Sequence, residues 1–295
     1  MIVITTPTGQ IGRQTLDRVL AAGTGAKVRV IVRDAARLGP DVRDRVEVIE
    51  GSHGDSGVVT AAFAGADAVF WLVPPDPSAP DLDTVYSGFT RPAAVALKEQ
   101  GVKRVVGVSA LGRGTSVAGR AGYITASLAM DDLLAATGVG YRALALPSFM
   151  DNLLRQANLI RHHGVFRLPI PGDHKAPACA TADIAAVAAD LLLDDTWSGV
   201  EEVPLLGPED LSYDEMAQIM SDVLQRPIRF EQESGADFTA RLIRFGASPA
   251  MARAALDMWQ AKAAGLDAAV PRTARSSTPT TFRQWCQDVF TRCPN

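Results

Sequence analysis

Short apolar runs alternate with helix-period segments through the first half of this chain, and that alternation constrains its fold more than any other feature. The runs Ile2–Thr5, Val28–Val32, Val46–Ile49, Ala68–Val73, Val105–Ser109 and Tyr141–Ala145 predict strands. The stretches Gly12–Ala22, Gly57–Phe63, Ser87–Gln100 and Thr125–Thr137 predict helices. Nearly continuous Val and Ile marks strands buried on both faces. Strand–helix alternation of that kind predicts an α/β fold, a doubly wound parallel sheet with helices on both sides. Ligands of such sheets bind at the carboxyl edge. Pro74-Pro75, with Pro77 and Pro80 beyond, end the Ala68 run and start a loop over that edge.

The first strand leads directly into Thr6-Pro7-Thr8-Gly9-Gln10-Ile11-Gly12. A buried strand, a tight glycine turn and a helix start are what a dinucleotide pyrophosphate needs. Gly9 lets the backbone approach the phosphates, Gly12 lets the helix pack close to the strand, and the first helical N–H groups face the anion. The usual fingerprint opens with glycine where this chain has Thr6, so the turn alone also suits an ordinary strand–helix connection. The second strand supplies context. It ends at Arg33, about 20 residues after the turn, where this kind of unit places its ribose-reading residue. An arginine there suits a 2′-phosphate, and an acid such as the adjacent Asp34 would suit a free 2′-hydroxyl. The balance points to NADP(H) rather than NAD(H).

The 295 residues are enough for one large domain or two small ones. An apolar fraction of 47% and a mean hydropathy of +0.08 describe a globular chain. No apolar run approaches the length of a membrane span, and no signal peptide is visible at the N-terminus. Cys179, Cys286 and Cys293 are too sparse for a disulfide framework, which makes a cytoplasmic setting the expectation. No Cys/His cluster predicts a metal, and His162-His163 reads as a polar loop or helix end. With a net charge of −4 and no basic stripe, nucleic acid is not an expected partner.

After Pro147 the pattern loosens. Gly164 to Pro177 predicts a loop or short hairpin, Asp183 to Leu193 a helix, and Val203–Leu206 a strand stopped by Gly207-Pro208. Ser212 to Leu224 predicts a helix opened by a capping box, with Ser212 as N-cap and Glu215 three residues on. The last third reads as helical and alanine-rich, broken by Pro249 and Pro271. Thr273 to Thr281 predicts a loop before a final helix at Thr281–Phe290.

Taken in order, several segments resemble the NmrA-like proteins, a branch of the atypical short-chain dehydrogenase/reductases. Thr8-Gly9-Gln10-Ile11-Gly12 looks like the family's glycine turn, and Val28 to Asp34 like its second strand. Gly65 to Phe70 with Pro74-Pro75, and Val102 to Ala110, look like its fourth and fifth strands. Phe149-Met150-Asp151-Asn152, Asp183-Ile184-Ala185 and Leu206-Gly207-Pro208-Glu209 match later signposts. The resemblance implies a Rossmann-type domain over residues 1–150 and 176–207 that binds NADP(H). A smaller, mostly helical domain over 151–175 and 208–295 would face it across a cleft. Carried over, Thr6, Thr8, Gly9, Gln10, Ile11 and Gly12 would hold the pyrophosphate and Arg33 the 2′-phosphate. Val73 and Pro74 would lie along the cofactor, and Ser109 would sit beside the nicotinamide.

Two departures bear on function. Relatives carry Gly-Asp after the third strand, with the aspartate near the adenine. Here Ser52 follows Gly51, and Asp55 reads as a helix N-cap. Reductases of the wider superfamily use Tyr-x-x-x-Lys, in which the lysine lowers the tyrosine's pKa. Here the candidate is Tyr123, and Ser127 stands in the lysine's place. Without a nearby cation Tyr123 is expected near a tyrosine's ordinary pKa of about 10, as a slow proton relay or a packed side chain. Two functions suit these residues. One is an oxidoreductase passing hydride to a conjugated or quinone-like acceptor, bound among Tyr86, Tyr123, Phe149, Met150, Asn152 and Phe166. The other is a catalytically silent NADP(H)-sensing regulator that binds a protein partner. Arg33→Ala is expected to weaken NADPH by about 1.5–3 kcal/mol, a charge-assisted contact, and to leave NADH nearly unchanged. Parallel titrations of the two cofactors check this, and equal wild-type affinities would contradict it.

Overall fold

The computed structural model describes residues 1–292, so Cys293 lies outside the described residues. From the N-terminus the chain runs β1 (Ile2–Thr5), α1 (Gln10–Ala21), β2 (Val28–Val32), α2 (Pro40–Arg43), β3 (Glu47–Glu50) and α3 (Ser56–Phe63). It continues through β4 (Ala68–Trp71), α4 (Leu82–Val85), α5 (Ser87–Glu99), β5 (Arg104–Ala110), α6 (Tyr123–Ala135) and β6 (Gly140–Leu146). Then come β7 (Ser148–Phe149), a 3₁₀ run at Met150–Gln156, α7 (Ala157–His163), β8 (Val165–Leu168), β9 (Lys175–Cys179), α8 (Thr181–Leu193) and β10 (Val200–Pro204). The last part holds β11 (Asp210–Ser212), α9 (Tyr213–Leu224), β12 (Arg229–Gln232), α10 (Gly235–Arg244), α11 (Pro249–Ala263) and α12 (Phe282–Trp285).

Seven strands form one parallel sheet in the order β3-β2-β1-β4-β5-β6-β10. This is the Rossmann-type doubly wound arrangement. The strand pleat sends alternate residues to opposite faces, and each face is apolar. Ile4, Val30, Phe70, Val106 and Leu144 pack with Leu16 of α1 and Ile184 of α8. Val3, Ile31, Val69, Val105 and Tyr141 pack with Phe63 of α3, Leu97 of α5 and Met130 of α6. A third cluster lies in the C-terminal part, around Phe166, Met216, Met220, Phe282 and Trp285.

The loosely patterned second half departs from expectation in two places. Gly164 to Pro177 is neither a loop nor a hairpin. Its two strands go to different sheets: β8 pairs in parallel with β12, while β9 lies between β11 and β7. Pro249 breaks the last third as expected, between α10 and α11. It occupies the first turn of α11, where its missing N–H has no intrahelical partner to lose. The final helix has α geometry only over Phe282–Trp285 and continues as a π turn over Cys286–Phe290. The capping box is present in full: the Ser212 hydroxyl accepts from Glu215 N, and the Glu215 carboxylate accepts from Ser212 N. No helix among the described residues is long and apolar enough to cross a membrane.

The glycine turn joins β1 to α1 at the point where strand order reverses. A Cβ on Gly12 would be driven into the Thr6 carbonyl, whereas one on Gly9 would stand 3.4 Å from the nearest atom, in ordinary contact. Gly12→Ala is therefore expected to cost about 1–3 kcal/mol as an overpacked site. Gly9→Ala is expected to stay within about 0.5 kcal/mol of wild type. Urea unfolding of both variants checks the contrast, and equal losses would contradict it.

Candidate active site

The turn has the features of an anion cradle. Helix α1 begins with Gly9 as its N-cap, without a side-chain cap and without an acid in its first turn. Its first N–H groups therefore point outward with no helical acceptor. Thr6 has φ +51°, the left-handed conformation that glycine would adopt without strain. Its hydroxyl is buried and has no hydrogen-bond partner. A strained β-branched residue with an orphan hydroxyl beside unfilled helix N–H groups fits a phosphate-bearing cofactor. Thr8 is half-buried, Gln10 is exposed and Ile11 is buried in the core against the sheet.

Arg33 emerges at the end of β2, exposed, with no hydrogen bond or ion pair among the described residues. Its neighbour Asp34 is occupied: the carboxylate accepts from Ala36 N at 2.9 Å and caps the following 3₁₀ turn. Glu50 accepts from Ala35 N at 2.8 Å. Asp34 and Glu50 thus shape the loop after β2, and Arg33 beside them has no partner among the described residues. Arg37, four residues on, is also exposed and was not singled out by the sequence, because nothing in its spacing distinguishes it. Beyond β3, Ser52 accepts from Gly54 N at 3.2 Å. Asp55 occupies the N-cap position of α3 as expected, but its carboxylate makes no capping bond. His53 is buried edge-on between Trp71 and Phe89, with Nε2 3.0 Å from the Leu72 carbonyl. Burial, reinforced by the Arg33 charge, lowers its pKa to about 4 against the raising effect of the Leu72 carbonyl.

Val73 and Pro74 follow β4 as half-buried loop residues at the carboxyl edge. The Ser109 side chain turns inward instead of lying free at the end of β5. Its hydroxyl donates a short hydrogen bond to Asp131 of α6, which also accepts from Tyr141 Oη at 2.6 Å. Arg113 lies 3.8 Å from the same carboxylate. Burial raises the Asp131 pKa to about 6, against the two hydroxyl donors and the guanidinium. The sequence did not mark Asp131, since the adjacent acids Asp131 and Asp132 on a helix carry no distinctive signal.

The expected acceptor residues separate into two groups. Tyr86 and Tyr123 lie side by side, ring centroids 6.5 Å apart, against Val73 and Met251. Phe149, Met150 and Asn152 line a narrow cavity of about 60 Å³ with Leu168, Tyr213 and Trp259. Phe166 belongs to neither group. It is fully buried against Phe230, in the C-terminal core. Burial raises the Tyr123 pKa, and the Arg155 guanidinium only partly offsets it. A nearby cation thus exists, contrary to expectation, yet burial outweighs it. Ser127, one turn on, is buried and supplies no charge. No group of three His, Cys, Asp or Glu side chains among the described residues is placed to hold a metal ion.

Other signposts serve as pins. Asp151 accepts from Thr181 N at 3.0 Å and Thr181 Oγ1 at 2.8 Å, and Asp183 does the same for Thr280. Gly207, at φ +73°, leaves no room for a Cβ against the Ala178 carbonyl. Ser248 N donates to Pro77 O at 2.9 Å and Ser248 Oγ to Ala79 O at 2.6 Å. The proline loop is thereby tied to the start of α11.

Comparison with known proteins agrees with this geometry. The sequence model of a family described as NAD(P)H-binding matches residues 7–195. A (4-alkanoyl-5-oxo-2,5-dihydrofuran-3-yl)methyl phosphate reductase of Streptomyces griseus is 32% identical over 97% of this chain and 96% of its own. Quinone oxidoreductase 2 of Escherichia coli is 26% identical over 83% of this chain and 82% of its own. The crystal structure of an NADPH-dependent quinone oxidoreductase from Escherichia coli, complexed with NADPH, superimposes with a TM-score of 0.80. That superposition spans 98% of this chain and 100% of the other at 23% identity.

His53 and Asp131 make opposite contributions to stability between pH 4 and 6.5. The lowered His53 pKa stabilises the fold above about 6.5, and that contribution is lost as pH falls towards about 4. The raised Asp131 pKa stabilises the fold below about 4, and that contribution is lost as pH rises through about 6. Each is worth on the order of 3 kcal/mol, so they largely cancel. Relative to wild type, Asp131→Asn is expected to lose stability on acidification, and His53→Gln to gain it. Urea midpoints from pH 4.5 to 7 check the two signs.

Proposed function

The chain belongs to the NAD(P)H-binding, NmrA-like family of atypical short-chain dehydrogenase/reductases, and from that premise we propose an NADPH-dependent reductase of small conjugated acceptors. The bound nicotinamide supplies the hydride. What this chain supplies is binding and orientation. The Thr6–Gly12 turn holds the pyrophosphate, and Arg33 holds the 2′-phosphate. Val73 and Pro74 lie along the cofactor at the carboxyl edge. Phe149 and Asn152 orient the acceptor, the amide holding an acceptor carbonyl.

The weak proton supply carries the choice of acceptor. A plain ketone needs a proton as the hydride arrives. Tyr123 has its pKa raised by burial, and Ser127 brings no charge to correct it. A quinone or enone spreads the developing charge and takes its proton later from water. The relatives' names support this reading. A quinone is such an acceptor, and the ring of the Streptomyces griseus enzyme's substrate bears an oxo and an alkanoyl group. The regulator reading draws no support from these relatives.

Tyr123→Phe is expected to change quinone reduction by less than the roughly 10²–10⁴-fold that a positioned general acid contributes. Gly9→Val is expected to abolish NADPH binding while the protein remains folded, because its side chain would intrude on the pyrophosphate. NADPH oxidation with a panel of quinones, enones and ketones checks the proposal. Fast turnover of a simple ketone that depends on Tyr123 would overturn it.

A further inference from the structure

Resting on that reading, the geometry points to an acceptor that carries an anionic group, bound by Arg155 beside Asn152. Both residues lie on the 3₁₀ run Met150–Gln156. A 3₁₀ helix has three residues per turn, so side chains three apart stack on one face. Asn152 and Arg155 therefore share one face of the run, which Phe149 precedes as N-cap. Phe149 and Asn152 line the cavity of about 60 Å³. Arg155, one turn on, bears on Tyr123, whose pKa the guanidinium pulls down against burial. That face thus leads from the apolar cavity towards Tyr123.

The run is held firmly. At one end Asp151 is buried and bonded to Thr181. At the other, Gln156 clamps β8: its Nε2 donates to Arg167 O at 3.0 Å, and its Oε1 accepts from Arg167 N at 3.0 Å. Met150 and Leu153 face the core. The residues left pointing outward are polar and unengaged. Asn152 and Arg155 are exposed and make no hydrogen bond or ion pair among the described residues. No carboxylate contributes to the field at Tyr123 or Tyr86. A guanidinium held on a fixed backbone, without a counter-ion among the described residues and near Tyr123, is a preorganised receptor for a phosphate, sulfonate or carboxylate. Phe149 would take the flat ring, Asn152 its carbonyl and Arg155 the anionic substituent.

The test compares 1,4-naphthoquinone-2-sulfonate with the neutral quinone menadione, using wild type, Arg155→Gln and Arg155→Lys. Arg155→Gln should raise KM for the sulfonate about 10- to 100-fold, the range of one charge-assisted contact. The kcat and the menadione KM should hold steady, and Arg155→Lys should recover part of the loss. Equal effects on both quinones, or a loss that tracks NADPH affinity, would overturn the inference. The second outcome would assign the guanidinium to the cofactor. Calorimetric titration of both quinones into the NADP⁺-loaded protein separates this inference from the proposed function. Arg155-dependent binding of the sulfonate without turnover keeps the subsite and rejects the reductase reading. Sulfonate binding that is absent, or unaffected by Arg155→Gln, rejects the subsite.

Discussion

The order of the strands reverses on either side of β1, and the rest of the molecule follows from holding that seam. A parallel sheet that grows in both directions from one strand opens a crevice where its loops diverge. Thr5 pins the crevice. Its hydroxyl is fully buried, donates to Phe70 O at 2.9 Å and accepts from Leu72 N at 3.1 Å. One side chain thus stitches the last residue of β1 to the end of β4. The glycine turn leaves on one side of the stitch and the proline loop on the other. The turn's strain is concentrated in Thr6, the next residue, where the backbone enters the left-handed region. The strained residue is therefore joined directly to a side chain that is buried and hydrogen-bonded at both its donor and its acceptor.

The first half was legible because its signals are local and periodic. Buried parallel strands have little choice but Val and Ile, and their helices follow the 3.6 period, so the six expected strands of that half appear within about two residues of their positions. β8 and β9 were not legible as partners of different sheets. Lys175 to Cys179 is Lys-Ala-Pro-Ala-Cys, small residues around a proline with no β-branched or aromatic side chain to mark a strand, and its pairing with β11 and β7 is set by tertiary contacts. The site shows the same division. Thr6 to Gly12 and Arg33 stood out by spacing along one strand–turn–helix unit. Asp131, His53 and Arg155 gain their character from groups distant in the chain, such as Ser109 for Asp131 and Tyr123 for Arg155. No window of sequence displays those pairs.

The buried polar groups divide by task. Asp151, Asp183 and Asp131 each accept two hydrogen bonds from partners at least ten residues away, which satisfies a charge that burial would otherwise make costly. They fix helices to strands and hold loops in place. The Thr6 hydroxyl, beside the first N–H groups of α1, is left without a partner at the carboxyl edge, whereas the other buried unpaired side-chain atoms among the described residues, Arg104 Nε, Asp267 Oδ1, Thr278 Oγ1 and Trp285 Nε1, lie away from the glycine turn.

Ser248 performs two jobs with one side chain. Its hydroxyl accepts from Met251 N, capping α11, and donates to Ala79 O, while its backbone N–H holds Pro77. Lifting the proline loop would therefore loosen the first turn of a helix that also carries Met251 against the tyrosines and Trp259 against the cavity lined by Phe149 and Asn152. The loop at the carboxyl edge and the wall of that cavity are then mechanically joined through one hydroxyl.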